Sequence, residues 1–146
     1  MKKVLHIIDS LGLGGAQTLI RGIFEAQKEN KNIYLFVLRK KEINLRIDHP
    51  NVILFNSKAK YTISPIKDLI NLIRKEQIEV LHCHLFRSEA FGWILKRKYF
   101  PKIKLIFHEH GEIFQGHRSY NWFISLSKKR VNLYVVVSKA TAEQLI

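Results

Sequence analysis

Residues 9–17 read Asp-Ser-Leu-Gly-Leu-Gly-Gly-Ala-Gln and lie between an apolar strand and an amphipathic helix. Three glycines within four positions, Gly12, Gly14 and Gly15, allow a ligand to approach the backbone without interference from Cβ atoms. The helix that follows would direct unpaired N–H groups and the positive end of its dipole at that ligand. This stretch therefore predicts a strand–loop–helix unit that binds an anionic group such as a phosphate.

Apolar runs of strand length recur along the chain and alternate with helical patterns. The runs lack strict polar–apolar alternation, which is typical of strands buried on both faces of a parallel sheet. The predicted strands are 4–8, 33–38, 52–55, 80–82, 105–107 and 133–137. The predicted helices are 16–29, one that opens at Pro65 with Ser64 as its cap, 88–99, and one capped by Ser138. This alternation predicts one α/β domain over 1–146 with a doubly wound, mostly parallel sheet.

Length and composition limit the class of protein. The chain has 146 residues, 47% of them hydrophobic, and no apolar run approaches the roughly 20 residues of a membrane helix. The apolar stretch after the basic start is too short for a signal peptide, so a cytoplasmic location is expected. Cys83 is the only cysteine, which excludes a disulfide framework and indicates a small buried side chain.

The net charge of +13 is compatible with nucleic acid, an anionic membrane surface or phosphorylated substrates as partners. The basic residues are spread along the chain, with clusters at 39–41, 96–98 and 128–130. No finger, zipper or aromatic RNA-binding motif accompanies them. A solvated lysine-rich surface is the simplest explanation, and a peripheral position at an anionic membrane face is the next. We expect no nucleic-acid partner.

Polar residues collect at the carboxyl ends of four predicted strands. In open α/β sheets, ligands bind outside these ends, near the point where the strand order reverses. The first strand ends in Asp9, Ser10 and the glycine loop, the fourth in 82–84 (His-Cys-His), the fifth in 108–111 (His-Glu-His-Gly) and the sixth in Ser138. Four strand ends that deliver polar groups to one edge predict a ligand site more strongly than any single motif.

The glycine loop differs from a dinucleotide-binding fingerprint in two respects. Gln17 occupies the position of the third small residue, and the second strand ends in the basic run 39–41, where a nicotinamide-dependent enzyme usually has an acid. A dehydrogenase is therefore disfavoured. The glycines themselves fit either a purely structural turn or a phosphate-binding loop.

The fourth and fifth predicted strands each carry a His-x-His pair: His82 with His84, and His108 with His110. Such pairs could bind zinc, with Asp9 or Glu109 adding a carboxylate, so a zinc-dependent hydrolase is one alternative. Their spacing is not diagnostic of a metal site, and we expect none. The inner histidine of each pair is expected to be a core imidazole bonded to a backbone carbonyl.

His110 differs from the other histidines because it precedes Gly111 at the end of the strand and faces the glycine loop. There it could bond a hydroxyl group or a developing negative charge, which makes it the candidate catalytic residue. His84 is a candidate of the same kind, and Glu109 and Glu112 are candidate acids or bases. The segment 112–130 interleaves aromatic side chains with positive charge, which suits an acceptor groove or a membrane-facing edge.

In this order, the segments of the chain resemble the N-terminal domain of family 4 retaining glycosyltransferases, enzymes with the GT-B architecture of two Rossmann-like halves. The matching segments are 4–10, 14–17 (Gly-Gly-Ala-Gln, where the family typically has Gly-Gly-Ala-Glu), 80–84, 105–111 and 136–140. Each motif alone is weak, but the ordered set is fairly specific and covers nearly the whole chain.

The resemblance implies an enzyme that moves a sugar from a nucleotide-sugar donor to a glycan or lipid-linked acceptor with retention, in surface polysaccharide or glycolipid assembly of bacteria or archaea. This half would lie on the acceptor side, with Gly14 and Gly15 against the donor phosphates and His110 against the donor sugar. The residues expected to line the acceptor side or the cleft are Ser10, Gln17, His84, Glu109 and Ser138. Family members generally need no metal, so no cofactor is expected.

The chain departs from the family pattern at two points. Gln17 replaces the usual glutamate and removes a charge beside the loop. The nucleotide-sugar domain, with the family's paired glutamates, is absent from 1–146, and the last helix stops after about two turns, so we expect a piece of a longer enzyme that is inactive alone. A zinc hydrolase and a non-catalytic module that binds nucleic acid or phosphate are the two alternatives.

Overall fold

The structure, a computed structural model, describes residues 1–40, 45–57, 62–111 and 118–145. The candidate acid or base Glu112 and the start of the aromatic and basic segment lie outside these residues. The strands are β1 (Val4–Ile8), β2 (Ile33–Val37), β3 (Val52–Leu54), β4 (Val80–His84), β5 (Lys104–Glu109) and β6 (Leu133–Val136). The helices are α1 (Gly15–Ala26), α2 (Pro65–Glu76), α3 (Phe86–Lys98), α4 (Arg118–Ser127) and α5 (Lys139–Leu145).

The described strands form one sheet in the order β3-β2-β1-β4-β5-β6, and every neighbouring pair is parallel. The chain leaves β1 towards one edge of the sheet and leaves β4 towards the other, so the order reverses between these two neighbours. This is the doubly wound Rossmann-like topology, whose ligand crevice lies at that reversal. The predicted fold class is confirmed, and the sheet is fully rather than mostly parallel.

Helices cover the two faces of the sheet unequally. On one face α1 packs its buried side chains, including Ile20 and Phe24, against Ile8 and Leu35. On the other face α2, α3 and α4 pack over a larger core. Because side chains alternate along a strand, neighbouring residues at a strand end belong to different faces. Neither set contains a helix, among those described, that is long and apolar enough to cross a membrane.

Local signals in the sequence explain why α2 begins and ends where it does. Pro65 takes the first helical position, Asp68 lies in the first turn, and Gln77 closes the helix in a left-handed conformation with φ of 56°. The predicted cap is wrong in its chemistry: Ser64 precedes the helix but itself has helical dihedral angles and makes no side-chain capping bond. Ser138 does cap α5, because its Oγ accepts a hydrogen bond from the Thr141 N–H at 3.1 Å.

Two differences from the predicted elements bear on the site. Strand β4 continues through His84 instead of ending at residue 82, which draws His84 into the sheet. The sequence predicts no helix over α4: aromatic side chains such as Tyr120 and Phe123 are core more often than not, and their interleaving with positive charge also suits an acceptor groove or a membrane-facing edge. Both side chains are buried in the core, whereas Trp122 of the same helix is 67% exposed.

Candidate active site

A cavity of about 780 Å³ lies where β1, β4 and β5 end, at the reversal of the strand order. Its polar wall combines the start of α1 with side chains that follow the strands: Asp9, Gln17, Arg87, Glu109 and His110. Its apolar wall includes Ile63, Leu85, Phe86, Phe91 and Ile94. The cavity therefore has one charged side suited to an anion and one side suited to an apolar group.

Helix α1 begins against this cavity with its first-turn amides uncovered. Gly14 is the N-cap, and neither a side-chain cap nor an acidic first-turn residue is present within the described helix. A Cβ on Gly14 would overlap the carboxamide oxygen of Gln17, whose Nε2 donates to the Ser10 carbonyl at 3.3 Å. A Cβ on Gly15 would meet no atom within 4 Å. The start of α1 therefore has no side-chain cap and has open space beside Gly15, which are features of an anion site at a helix N-terminus.

Asp9 is held between two arginines. Arg39 donates to it from Nη2 at 2.5 Å and from Nε, and Arg87 donates from Nη1 at 2.6 Å. Arg87 also donates to the Thr62 carbonyl at 3.3 Å. Two guanidinium groups on one carboxylate leave an excess positive charge beside the α1 N-terminus, and this charge attracts anions to the cavity.

Five histidines form a contiguous group on the α1 face of the sheet, which we call the histidine array: His6, His82, His84, His108 and His110. The register places His6 opposite His82, and His84 opposite His108. Nδ1 of His6 lies 3.1 Å from Nε2 of His84, and Nδ1 of His84 lies 2.9 Å from Nε2 of His110. Separately, Nε2 of His82 lies 3.1 Å from Nδ1 of His108.

The array is neutral at pH 7. Burial, reinforced by charged forms of neighbouring histidines, lowers the pKa of His6 to about 4 and that of His82 to about 3. The same two causes, burial first, lower the pKa of His110 to about 4 and hold that of His84 well below its usual value. Each ring therefore has one N–H and one lone pair to share with its neighbours.

The opposite face carries a second buried polar group, which we call the carboxyl cluster: Glu89, Glu109, Tyr120, Ser127 and Tyr134. Tyr120 donates its hydroxyl proton to Oε1 of Glu109 at 2.6 Å, and the Tyr134 hydroxyl lies 3.2 Å from Ser127 Oγ. Both carboxylate oxygens of Glu89 are buried without a hydrogen-bond partner among the described residues. Burial and the adjacent Glu109 carboxylate raise the pKa of Glu89 well above its usual value.

Except for Asp9, the residues that line this cavity lie within a match to a known family. Residues 13–146 match Glycosyltransferase Family 4. The chain belongs to this family. Its fold is that of the N-terminal half of GT-B glycosyltransferases, which confirms the resemblance found in the sequence. A comparison with curated proteins found no match.

Solved structures share the fold of this family 4 domain. HepE (Alr3699) of Anabaena, solved in complex with UDP and glucose, superposes with a TM-score of 0.76 at 14% identity over 99% of this chain. The apo form of WaaB, a lipopolysaccharide outer core galactosyltransferase, superposes with a TM-score of 0.71 at 14% identity. The chain spans 40% of the length of HepE and 42% of that of WaaB.

Two sets of three histidines in the array could hold a metal ion, and the expectation that none binds stays a prediction. One ring nitrogen each of His84, His108 and His110 lie within 4.8 Å of one another, as do those of His6, His82 and His84. Zinc bound at about 2.0–2.1 Å holds tetrahedral ligands closer together, at about 3.4 Å. The expected carboxylate ligands are engaged elsewhere, Asp9 with two arginines and Glu109 with Tyr120. Zinc that bound to these rings would replace the hydrogen bonds between their nitrogens.

The cavity brings together Gly14, Gly15, Gln17, Glu109 and His110 of the predicted site residues. His84 is placed differently: it is fully buried behind His110, so the prediction that it lines the cleft is wrong. Ser10 is mostly buried and takes part through its carbonyl, and Ser138 is exposed and caps α5. The two inner histidines bond to each other rather than to backbone carbonyls.

The sequence interpretation missed Arg87, Leu85 and His6. Arg87 follows β4 by three positions and was detectable by the same strand-end rule that identified His110. Leu85 has a φ of 72°, a conformation that non-glycine residues rarely adopt and that concentrates at functional sites. His6 lies inside an apolar strand, and no local pattern signals its bond to His84, because that bond depends on β1 pairing with β4.

Proposed function

We propose that this chain is the acceptor-side half of a retaining glycosyltransferase that transfers a hexose from a nucleotide-sugar donor. The observation that carries the proposal is the shared cavity, which places the bare N-terminus of α1 and His110 at the same reversal of strand order. The family match supports sugar transfer as the class of reaction. The HepE complex with UDP and glucose supports a nucleotide sugar as the donor.

The donor diphosphate would bind at the N-terminus of α1. Amide N–H groups next to Gly15 and the surplus charge of Arg87 offer hydrogen bonds and attraction to the leaving phosphate. These groups supply the charge stabilisation that a divalent metal provides in other transferases, so we propose that transfer needs no metal. His110 would contact the donor sugar through the ring nitrogen that His84 does not occupy.

The acceptor would enter along the apolar side of the cavity. Ile63, Phe86 and Ile94 give this side the character of a site for an apolar or aromatic group attached to the accepting sugar. This lining favours a lipid-linked acceptor over a free polysaccharide. The net charge of +13 suits an enzyme that meets such acceptors at an anionic membrane face, and a cytoplasmic, peripheral location stays a prediction.

We also propose that a nucleotide-sugar domain outside these 146 residues completes the cleft. The chain spans 40% of the length of HepE, which was solved in complex with UDP and glucose. The 146-residue domain alone would then bind the acceptor without transferring sugar. Transfer is tested on the complete protein that the gene encodes.

A matched pair of glycine variants tests the proposal. Gly15 and Gly22 both lie in α1 with open space at the Cβ position, and only Gly15 borders the cavity. Gly15→Asp puts a negative charge at the helix N-terminus, which favours the helix but repels a phosphate. We expect donor KM to rise at least tenfold in Gly15→Asp, with melting temperature kept, and to stay unchanged in Gly22→Asp.

The assay uses a panel of nucleotide sugars with short lipid-linked acceptors, in the presence and absence of EDTA. The anomeric proton coupling of the product, read by NMR, reports retention or inversion. Three results would each contradict the proposal: none of the nucleotide sugars supports turnover, EDTA abolishes turnover, or the two glycine variants have equal donor KM.

A further inference from the structure

His110 reaches the cavity as the last member of a hydrogen-bonded chain of three histidines. Its Nε2 contacts His84, and the opposite nitrogen of His84 contacts His6, so both nitrogens of the middle ring are used. His84 is fully buried and His6 is 5% exposed, so water does not compete for these bonds. The ring nitrogen that His110 leaves for a ligand is Nδ1.

Neutral rings allow only two proton arrangements along this chain. A neutral imidazole has one N–H, so each contact needs a donor on one ring and a lone pair on the next. In the first arrangement His6 Nδ1–H donates to His84, His84 Nδ1–H donates to His110, and His110 is left with its proton on Nδ1. In the second, every proton is on the other nitrogen, and His110 presents a lone pair to the cavity.

The surroundings of His6 favour the first arrangement. The second places the His6 proton on Nε2, for which the described residues offer no hydrogen-bond acceptor. The neighbouring ring is that of Phe24 in α1, which is edge-on to His6 with the two ring centroids 5.6 Å apart. His6 is only 5% exposed, so an N–H there would lose much of its hydration without gaining a protein partner, which costs more than leaving a lone pair unused. The first arrangement leaves only a lone pair unused at the end of the chain.

We propose that His6 and His84 are positioning residues that hold His110 in the tautomer with its proton on Nδ1, so that the cavity receives a neutral hydrogen-bond donor. This inference rests on the proposed function for the role of His110 against the donor sugar. A neutral donor stabilises a hydroxyl oxygen or the charge that develops on a phosphate oxygen without carrying a competing lone pair. The same chain fixes the ring plane of His110, which a lone surface histidine would not keep.

The pair formed by His82 and His108 provides the internal control. These two rings lie on the same face and are bonded at 3.1 Å, and His82 stacks on His84 whereas His108 stacks on His110. Their hydrogen bond does not involve a nitrogen of His110. A purely structural role of the array would make His82 and His84 variants equivalent, whereas the positioning role distinguishes them.

The test reads tautomers directly, by NMR of the complete protein labelled with ¹⁵N in its histidine rings. We expect His6, His84 and His110 of the unmodified protein to carry their protons on Nδ1 at pH 7. His84→Leu should shift His110 towards the Nε2–H form that free histidine prefers. His84→Asn, whose amide replaces the Nδ1–H donor, should restore the Nδ1–H form, and His82→Asn should leave it unchanged.

Activity supplies the second readout. In His84→Leu we expect kcat to fall on the order of tenfold, with donor KM within a factor of two and recovery in His84→Asn, a smaller loss than removal of a donor outright. An Nε2–H proton on His110 in the unmodified protein would overturn the inference, even if no variant folds. So would stoichiometric zinc bound through these rings. The tautomers are read without substrate, so failure of the proposed transfer activity is recognised separately.

Discussion

The histidine array and the carboxyl cluster are both largely buried and titratable and lie on opposite faces of the sheet, where they meet at β5, yet opposite proton states stabilise them. On the α1 face, burial favours the deprotonated form of five histidines. On the opposite face, burial favours the protonated form of Glu89. His108 and Glu109 are adjacent in sequence and belong to different groups. One β-strand therefore separates an acid-sensitive region from an alkali-sensitive one.

The difference also assigns the two groups to different tasks. The array ends in a ring nitrogen of His110, which borders the cavity, whereas the carboxyl group of Glu89 on α3 is fully buried and does not border it. Glu109 and Tyr120 of the carboxyl cluster also border the cavity, so the division to be tested is that His110 acts on a ligand whereas Glu89 acts on the stability of the domain. Four predictions test this division, each with its own measurement.

The largest effect is expected from the residue where the array meets the cavity. His110→Ala in the complete protein should lower kcat by about 10²–10³-fold, the cost of removing one preorganised hydrogen-bond donor. Glu109 precedes His110 and lies on the other face of the sheet. Glu109→Gln, which keeps the shape of the side chain and removes its charge, should lower kcat by less than about tenfold. Steady-state kinetics on both variants decide the matter. A larger fall in kcat in Glu109→Gln than in His110→Ala would reverse the assignment of tasks.

The array should dominate the loss of stability in acid. Because the pKa of His6 is lowered from 6.5 to about 4, the folded protein binds fewer protons than the unfolded chain. A pKa shift of this size changes the free energy of unfolding by about 3 kcal/mol. This stability is fully present above pH 6.5 and is lost as the pH falls towards 4. Urea unfolding at several pH values should show that the free energy of unfolding falls less steeply with decreasing pH (a shallower acid limb) in His6→Leu. An unchanged limb would show that the array is not the acid-sensitive element.

The carboxyl cluster should limit stability at alkaline pH. The raised pKa of Glu89 means that the folded protein retains a proton which the unfolded chain releases, so stability falls as the pH rises above about 4.5 through the folded-state value. Glu89→Gln removes this dependence and should raise the free energy of unfolding at pH 8–9 by about 2 kcal/mol. Thermal melts of both proteins at pH 5 and pH 9 measure this gain in stability. Destabilisation at both pH values would mean that the ionised carboxylate is needed.

The smallest effect is expected from the bond that ties α4 to β5. Tyr120→Phe removes the hydroxyl that donates to Glu109 at 2.6 Å and should lower the free energy of unfolding by about 1 kcal/mol at pH 7. The acid limb should keep its slope, since no histidine of the array is altered. Chemical unfolding measures both. A changed acid limb in this variant would show that the two regions are coupled across the sheet.

Prediction from the sequence succeeded where a local rule carries the information. Strand–helix alternation gave the six strands, and the rule that ligands bind at carboxyl strand ends selected Gly15, Glu109 and His110, all of which border the cavity. Prediction failed where depth or pairing matters. His84 has the same local pattern as His110, but His84 is still paired within the sheet, opposite His108. It is therefore fully buried and does not reach the cavity.

The sequence by itself determined the α/β class, the glycine loop at the start of α1 and the strand ends that carry polar groups, because periodicity and turn chemistry act over a few residues. Only the tertiary structure decided that β1 lies beside β4, and with it that His6 supports His84 and His84 supports His110. It also decided that Glu89 and Glu109 share one buried space. These contacts join residues distant in sequence, and their proton states follow from burial, which no local pattern encodes.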